Sequence, residues 1–206
     1  MDSIIFDVDG TLWDSTEVIA KTWEKLVKEK YDSKMQLTPE ILKSHFGKTL
    51  PNIAKDLFVG IPEAEQLALI EECCAEEHKA LLETPPAVYD GLEETLQKLS
   101  QKYSLFIVSN CQAGYIEVFL EATGLGKYFK DHLCPGDTGR EKGDNIKEII
   151  SRNQLKDAIY VGDTIGDWRA TQEAGIPFVF AAYGFGQVAE PDWTISKPLD
   201  LLNIFI

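Results

Sequence analysis

The chain has 206 residues and carries 34 Asp and Glu against 20 Lys and Arg, a formal net charge of −14. At 44% hydrophobic and 26% charged it has the make-up of a globular protein and is too apolar to remain disordered. The acid excess counts against a nucleic-acid partner, whose phosphates call for Lys and Arg, and equally against an anionic membrane surface.

Taken in chain order, Ser3–Val8 is a short apolar run that reads as a strand. From residue 15 to residue 86 the pattern is helical only. Val18, Ile19, Trp23, Leu26 and Val27 keep helical spacing, and Thr38-Pro39-Glu40 reads as an N-cap followed by proline at the first helical position. His45 to Asn52 is a polar, glycine-containing link between helices, placed to face a site and choose a substrate, though His45 itself reads as a surface or structural residue. Leu67, Ile70, Cys74, Leu81 and Leu82 continue the helical spacing, the acidic run Glu71–Glu77 reads as a solvated face, and Thr84-Pro85-Pro86 ends the segment. Apolar runs at 104–108, 131–134, 158–162 and 177–181 then alternate with amphipathic stretches at 92–100, 115–122, 146–153 and 167–174, with Gly124 and Gly175 where helix caps are expected. Trp13, Trp23 and Tyr89 read as core residues or as lining of a site mouth, and Tyr183-Gly184-Phe185-Gly186 as a turn without chemistry.

This alternation predicts an α/β fold, a Rossmann-like parallel sheet with helices on both faces, formed by residues 1–14 and 87–206 and interrupted by a helical insert at 15–86. No stretch approaches the ~18 apolar residues of a membrane span, and the start Met1-Asp2-Ser3-Ile4-Ile5 lacks the basic flank and apolar run of a secretory leader. Cys73, Cys74, Cys111 and Cys134 fit no zinc or redox spacing and are expected as free thiols, in keeping with a cytoplasmic protein.

The chemistry gathers at strand ends. The first strand runs into Asp7-Val8-Asp9-Gly10-Thr11, the 104–108 strand into Ser109-Asn110, and the 158–162 strand into Asp163, with Asp167 one turn later. In open parallel sheets ligand sites form outside the carboxyl ends of the strands, so neighbouring strands bring these segments together. Clustered carboxylates repel unless compensated, and a hard cation such as Mg²⁺ with oxygen ligands is a natural partner for Asp7, Asp163 and Asp167. An Asp beside such an ion can act as a nucleophile, and Asp9, swung aside by a turn at Gly10, as general acid and base.

Ile4-Ile5-Phe6-Asp7-Val8-Asp9-Gly10-Thr11-Leu12-Trp13-Asp14-Ser15 resembles the first motif of the haloacid dehalogenase superfamily, in its phosphatase branch. Ser109 is similar to the second motif, Lys142 to the third, and Gly162-Asp163-Thr164-Ile165-Gly166-Asp167 to the fourth, in the family's order over the whole chain. The resemblance implies a Mg²⁺-dependent phosphatase with a phosphoglycolate-phosphatase-like layout, residues 15–86 being its mobile cap. Asp7 would attack phosphorus and Asp9 would protonate the leaving alcohol and then activate water. Ser109, Asn110 and Lys142 would hold the phosphoryl group, with Thr11 beside them or orienting Asp9. Mg²⁺ would rest on Asp7, the main-chain carbonyl of Asp9 and Asp163, with Asp167 as ligand or support. Lys142 lies in Gly139-Arg140-Glu141-Lys142-Gly143, without the proline that many relatives carry, which leaves Arg140 as a competitor for its role. The implied substrate is a small phosphorylated metabolite, met by a monomer or weak homodimer. A phosphosugar mutase and a non-catalytic binding module are the alternatives, whereas a dehalogenase has no need of Asp9.

Overall fold

The computed structural model describes residues 1–31 and 36–206; positions 32–35 of the insert lie outside the described residues. β1 (Ser3–Phe6) leads into four helices, α1 (Thr16–Tyr31), α2 (Pro39–Lys43), α3 (Leu50–Leu57) and α4 (Glu63–Glu83). The chain then runs α5 (Leu92–Leu99), β2 (Ser104–Val108), α6 (Tyr115–Thr123), a 3₁₀ turn at Leu125–Tyr128, β3 (Phe129–Leu133), α7 (Pro135–Thr138) and α8 (Lys142–Arg152). It closes with β4 (Ala158–Gly162), α9 (Ile165–Ala174), β5 (Phe178–Ala181), β6 (Trp193–Ile195) and α10 (Asp200–Phe205).

The six strands form one parallel sheet in the order β3-β2-β1-β4-β5-β6. The α/β expectation holds, and the reason is visible in the strands. Every residue of β1, β4 and β5 is buried. Ile4, Phe6, Leu105, Ile107, Ile159 and Val161 pack into one apolar layer, while Ile5, Phe106, Val108, Ile146 and Tyr160 pack into another. Alternate side chains thus enter cores on opposite faces, which unbroken apolar strands require. Each fully buried aliphatic side chain contributes roughly 1.5–3 kcal/mol, so these strands are secured by both layers. The first layer continues into the helical segment through Ile19, Trp23, Leu42, Ile53, Leu69 and Ile70.

Several local expectations are sharpened. Thr38 caps α2 as read, its hydroxyl accepting from the Ile41 amide at 3.3 Å. The polar link after α2 is shorter than expected, because α3 starts at Leu50. β6 escaped sequence reading because it is a three-residue edge strand with one buried side chain, too short to show a period. The acidic run of α4 is not wholly solvated: Glu77 is 2% exposed.

Candidate active site

β1 pairs with β2 on one side and β4 on the other, with Phe6 level with Ile107 and Val161. The chain order reverses at β1, so the crevice beyond its carboxyl end is where an α/β sheet offers a site. That register delivers Asp7, Ser109 and Asp163 to one place. Beyond Asp7 the backbone folds into a tight turn in which the amides of Thr11, Leu12 and Trp13 all point at the Val8 carbonyl, at 3.2, 2.7 and 3.4 Å. Gly10 permits it, with φ of +79° and a position where a Cβ would lie 2.1 Å from Asp163 Oδ2. The loop after β5 presses from the other side: a Cβ on Gly184 would lie 2.3 Å from Asp163 Cβ, and the Phe185 amide donates to Asp163 Oδ2 at 2.7 Å. The turn read as free of chemistry therefore walls in a carboxylate of the site.

Oxygens of Asp7, Asp163 and Asp167 lie within 4.8 Å of one another, all on buried side chains. Lys142, at the first turn of α8, reaches into them and donates to Asp7 Oδ1 at 3.0 Å and Asp167 Oδ1 at 2.5 Å. Arg140, the competing cation, points away to Glu148 on the surface. Burial pushes the Asp7 carboxyl up to about 6 against the pull of Lys142, and burial with the neighbouring Asp167 and Asp7 raises Asp163 as well. Burial alone would lower the Lys142 ammonium, but Asp167 and Asp7 hold it above its usual value. One ammonium thus faces three buried carboxylates. The oxygen-only donor set and the uncompensated negative charge fit a hard divalent cation. Asp167 is tied most tightly, because its Oδ2 also accepts from the Asp163 amide at 3.2 Å, the Thr164 amide at 2.9 Å and the Thr164 hydroxyl at 2.7 Å, closing the capping box of α9.

Asp9 lies apart from this cluster. Its Oδ1 accepts from Ser15 Oγ at 2.6 Å, Tyr115 OH at 2.7 Å and Trp13 Nε1 at 3.1 Å. Burial raises its carboxyl to about 7 even against those donors, so near neutral pH it holds a proton that it can give away. The expectation that Thr11 orients Asp9 is corrected by the geometry of the turn. The Thr11 hydroxyl donates to Asp163 Oδ1 at 3.3 Å and is almost fully buried, because the turn at Gly10 carries it toward β4 and out of the cavity. Ser109 is buried beside Asp7 and its hydroxyl pulls that carboxyl's pKa down.

The haloacid dehalogenase-like hydrolase family matches residues 4–181. The chain belongs to that family. It is 30% identical to the phosphoglycolate phosphatase of Aquifex aeolicus over 98% of this chain and 95% of that protein. It is 28% identical to the pyrophosphatase PpaX of Listeria monocytogenes over 98% and 95%. A haloacid dehalogenase-like family hydrolase from Streptococcus pneumoniae has the same fold, with a TM-score of 0.86 at 23% identity over 100% of this chain and 99% of that one. Among the described residues, no helix is long and apolar enough to cross a membrane.

In this hydrolase a cavity of about 40 Å³ adjoins Asp7 and Asp9, between the sheet end and α1, α3, α4 and α6. Its polar floor includes Ser109 and Asn110, and Phe46 and Gly47 of the polar link close over it. Asn110 Nδ2 donates to the Gly47 carbonyl at 2.8 Å, fastening that link to the core. His45 turns away, its Nδ1 on the Ile41 carbonyl at 2.8 Å, in keeping with a structural role. Trp13 is wholly buried and Tyr89 packs on Tyr183, whereas Trp23 lines the cavity. Sequence reasoning missed Ser15, Tyr115 and Glu77. Only Glu77 carried a signal, since Ile70, Cys74, Glu77 and Leu81 form one helical stripe and the acid stands on its apolar side. All four cysteines are buried and free, and burial pushes Cys73 up to about 12, far from a reactive thiolate.

Proposed function

We propose that this hydrolase is a Mg²⁺-dependent phosphatase that cleaves a small phosphorylated metabolite through an aspartyl-phosphate on Asp7, with residues 15–86 acting as its cap. The observation that carries the reading is the pairing of two Asp residues with opposite surroundings: Asp7 held by Lys142 at 3.0 Å, and Asp9 held by neutral donors with its carboxyl raised to about 7. The family membership supports the same chemistry, and the names of its phosphoglycolate phosphatase and pyrophosphatase relatives point to phosphate-bearing substrates.

On this reading an Asp7 oxygen attacks phosphorus as the ester P–O bond breaks, and Asp9 gives its proton to the departing alcohol oxygen. Asp9, now ionised, takes a proton from water as that water attacks the aspartyl-phosphate, which releases inorganic phosphate and restores Asp7. Ser109, the main-chain amide of Asn110 and Lys142 hold the phosphoryl oxygens, where fixed donors act strongly because the site is buried. Asp7, the Asp9 main-chain carbonyl and Asp163, backed by Asp167, would hold Mg²⁺, which when bound supplies positive charge against the carboxylates and the phosphoryl group. The cavity has room for only about three water-sized spheres, so admitting an ester requires the cap to lift. Buried reduced thiols and the acidic surface suit a cytoplasmic protein, a monomer or weak homodimer, acting on metabolites.

The test is hydrolysis of p-nitrophenyl phosphate and small phosphomonoesters with and without Mg²⁺, beside Asp7→Asn. Mg²⁺-dependent release of phosphate, reduced at least ~10³-fold by Asp7→Asn, is expected from loss of a nucleophile that acts as one unit with its neighbours. Activity unchanged in Asp7→Asn would sink the mechanism, and isomerisation of a phosphosugar faster than its hydrolysis would make the protein a mutase.

A further inference from the structure

The far end of the cavity is unlike its phosphoryl end. Ile19, Trp23, Leu50 and Ile53 form an apolar wall, and among them sits one acid, Glu77 of α4. Glu77 Oε2 accepts from Trp23 Nε1 at 2.6 Å, and its Oε1 accepts from the Gln112 amide. Both donors are neutral. The same Gln112 nitrogen also meets His78 Nε2 at 3.0 Å, so its two protons are spent on Glu77 and His78 and none is left for a ligand. Burial lowers His78, which keeps that ring neutral. Among the described residues lining the cavity there is no Lys, Arg or His. Lys43 of α2 and Lys48 of the link that follows are engaged elsewhere, Lys43 with Asp14 and Lys48 with Asp56.

A second lining residue has an open acceptor. Asn110 spends its side-chain amide nitrogen on the Gly47 carbonyl, which fixes the orientation of the amide and leaves Oδ1 buried with no partner among the described residues. A buried acceptor without a donor is destabilising until something donates to it. The leaving-group end therefore offers one open acceptor, Asn110 Oδ1, beside a carboxyl answered by neutral donors, on an apolar wall whose described lining holds no cation.

We propose, resting on the phosphatase reading, that the substrate's leaving alcohol carries no negative charge and donates hydrogen bonds, through a hydroxyl or an ammonium, to Glu77 and Asn110 Oδ1. A carboxylate or a second phosphate at this position would be buried against an apolar wall with no cation among the lining residues to pair it, and an unpaired charge taken out of water is costly. Substrate choice in this chain thus departs from what the names of its phosphoglycolate phosphatase and pyrophosphatase relatives suggest. A hydroxyl would meet Glu77 in its protonated form, which burial favours by raising the carboxyl to about 8, whereas an ammonium would ionise it and pair with it.

The experiment compares kcat/KM of the Mg²⁺-loaded enzyme on 2-hydroxyethyl phosphate, 2-aminoethyl phosphate, n-propyl phosphate, phosphoglycolate and pyrophosphate, with p-nitrophenyl phosphate as a measure of bare turnover. One of the two donor-bearing esters is expected to exceed the propyl ester, phosphoglycolate and pyrophosphate at least tenfold. Glu77→Gln then separates the sources: loss of tenfold or more on the aminoethyl ester marks an ammonium, and a smaller loss confined to the hydroxyethyl ester marks a hydroxyl. Phosphoglycolate or pyrophosphate equal to the donor-bearing esters, or a preference that Glu77→Gln leaves intact, overturns the inference while p-nitrophenyl phosphate turnover keeps the phosphatase standing. Absence of turnover on every substrate removes both.

Discussion

The two ends of the cavity are built on opposite principles. At the sheet end, charge is concentrated and answered by charge: Lys142 lies between Asp7 and Asp167 in a buried ion network. At the helical end a single buried acid, Glu77, is answered only by the neutral donors of Trp23 and Gln112. An ion network of the first kind is costly to bury and collapses when one member is removed, whereas an acid of the second kind avoids the cost by keeping its proton. One end is thus poised for phosphoryl charge, and the other is kept free of anions.

Removing the network's cation is the strongest way to break that contrast. Lys142→Met leaves Asp7, Asp163 and Asp167 facing one another unrelieved, and loss of one partner of a buried pair costs about 3–5 kcal/mol. A loss of ~10²–10³ in kcat is expected as well, the usual scale for deleting one donor to a developing negative charge. Arg140→Ala, which disturbs only the exposed pair with Glu148, is expected to change stability by less than about 1 kcal/mol. Urea unfolding and steady-state rates on the two variants read both effects, and a larger rate loss in Arg140→Ala would transfer the role.

The sheet end was legible because each of its groups follows a strand, and parallel register carries strand ends to one place. Asp7, Ser109 and Asp163 need nothing more than β1, β2 and β4 side by side. Lys142 was legible only through the family resemblance, since a lysine opening a helix has no local meaning against the helix dipole. The helical end was not legible, because α1, α3 and α4 meet through packing that no local pattern encodes. Glu77 stood in plain view on the stripe of Ile70, Cys74 and Leu81, but an acid within Glu71–Glu77 looks solvated until the neighbouring helices are in place. Ser15 and Tyr115 were invisible for the same reason, 100 residues apart yet both on one oxygen of Asp9.

The helical end can be tested through pH. Glu77 titrates at about 8 in the folded protein, burial being the cause, but near ~4.3 once unfolded. Between those values the folded chain keeps a proton that the unfolded chain has lost, so this acid subtracts stability as pH rises, on the order of 1 kcal/mol per unit. Glu77→Gln removes the slope. Denaturant unfolding at pH 5, 6.5 and 8 should shift the difference between the variant and the parent in the variant's favour by roughly 2–4 kcal/mol across the range. A difference independent of pH would mean that Glu77 is ionised at every pH and held by a cation, and the contrast between the ends would fail.

Tyr115 joins the two ends, and its hydroxyl gives the smallest and most selective of these effects. It sits 2.7 Å from Asp9 Oδ1 and 2.9 Å from Ser15 Oγ, while its ring rests edge-on to Trp13 and near His78 of α4. Tyr115→Phe keeps the ring and deletes one of three donors to the Asp9 oxygen, which costs about 1 kcal/mol of stability at most. The remaining donors, Ser15 and Trp13, still hold Asp9, but its carboxyl is freer to turn away from the leaving oxygen. Misplacement of a proton donor lowers the chemical step without touching substrate binding, so kcat should fall roughly three- to tenfold with KM nearly constant. Ser15→Ala acts on the same oxygen, and because the two hydroxyls also touch each other, the double variant should lose less than the product of the single losses. A loss confined to KM would instead assign Tyr115 to the leaving-group end, beside Glu77, and a purely multiplicative double variant would show that the two hydroxyls hold Asp9 independently.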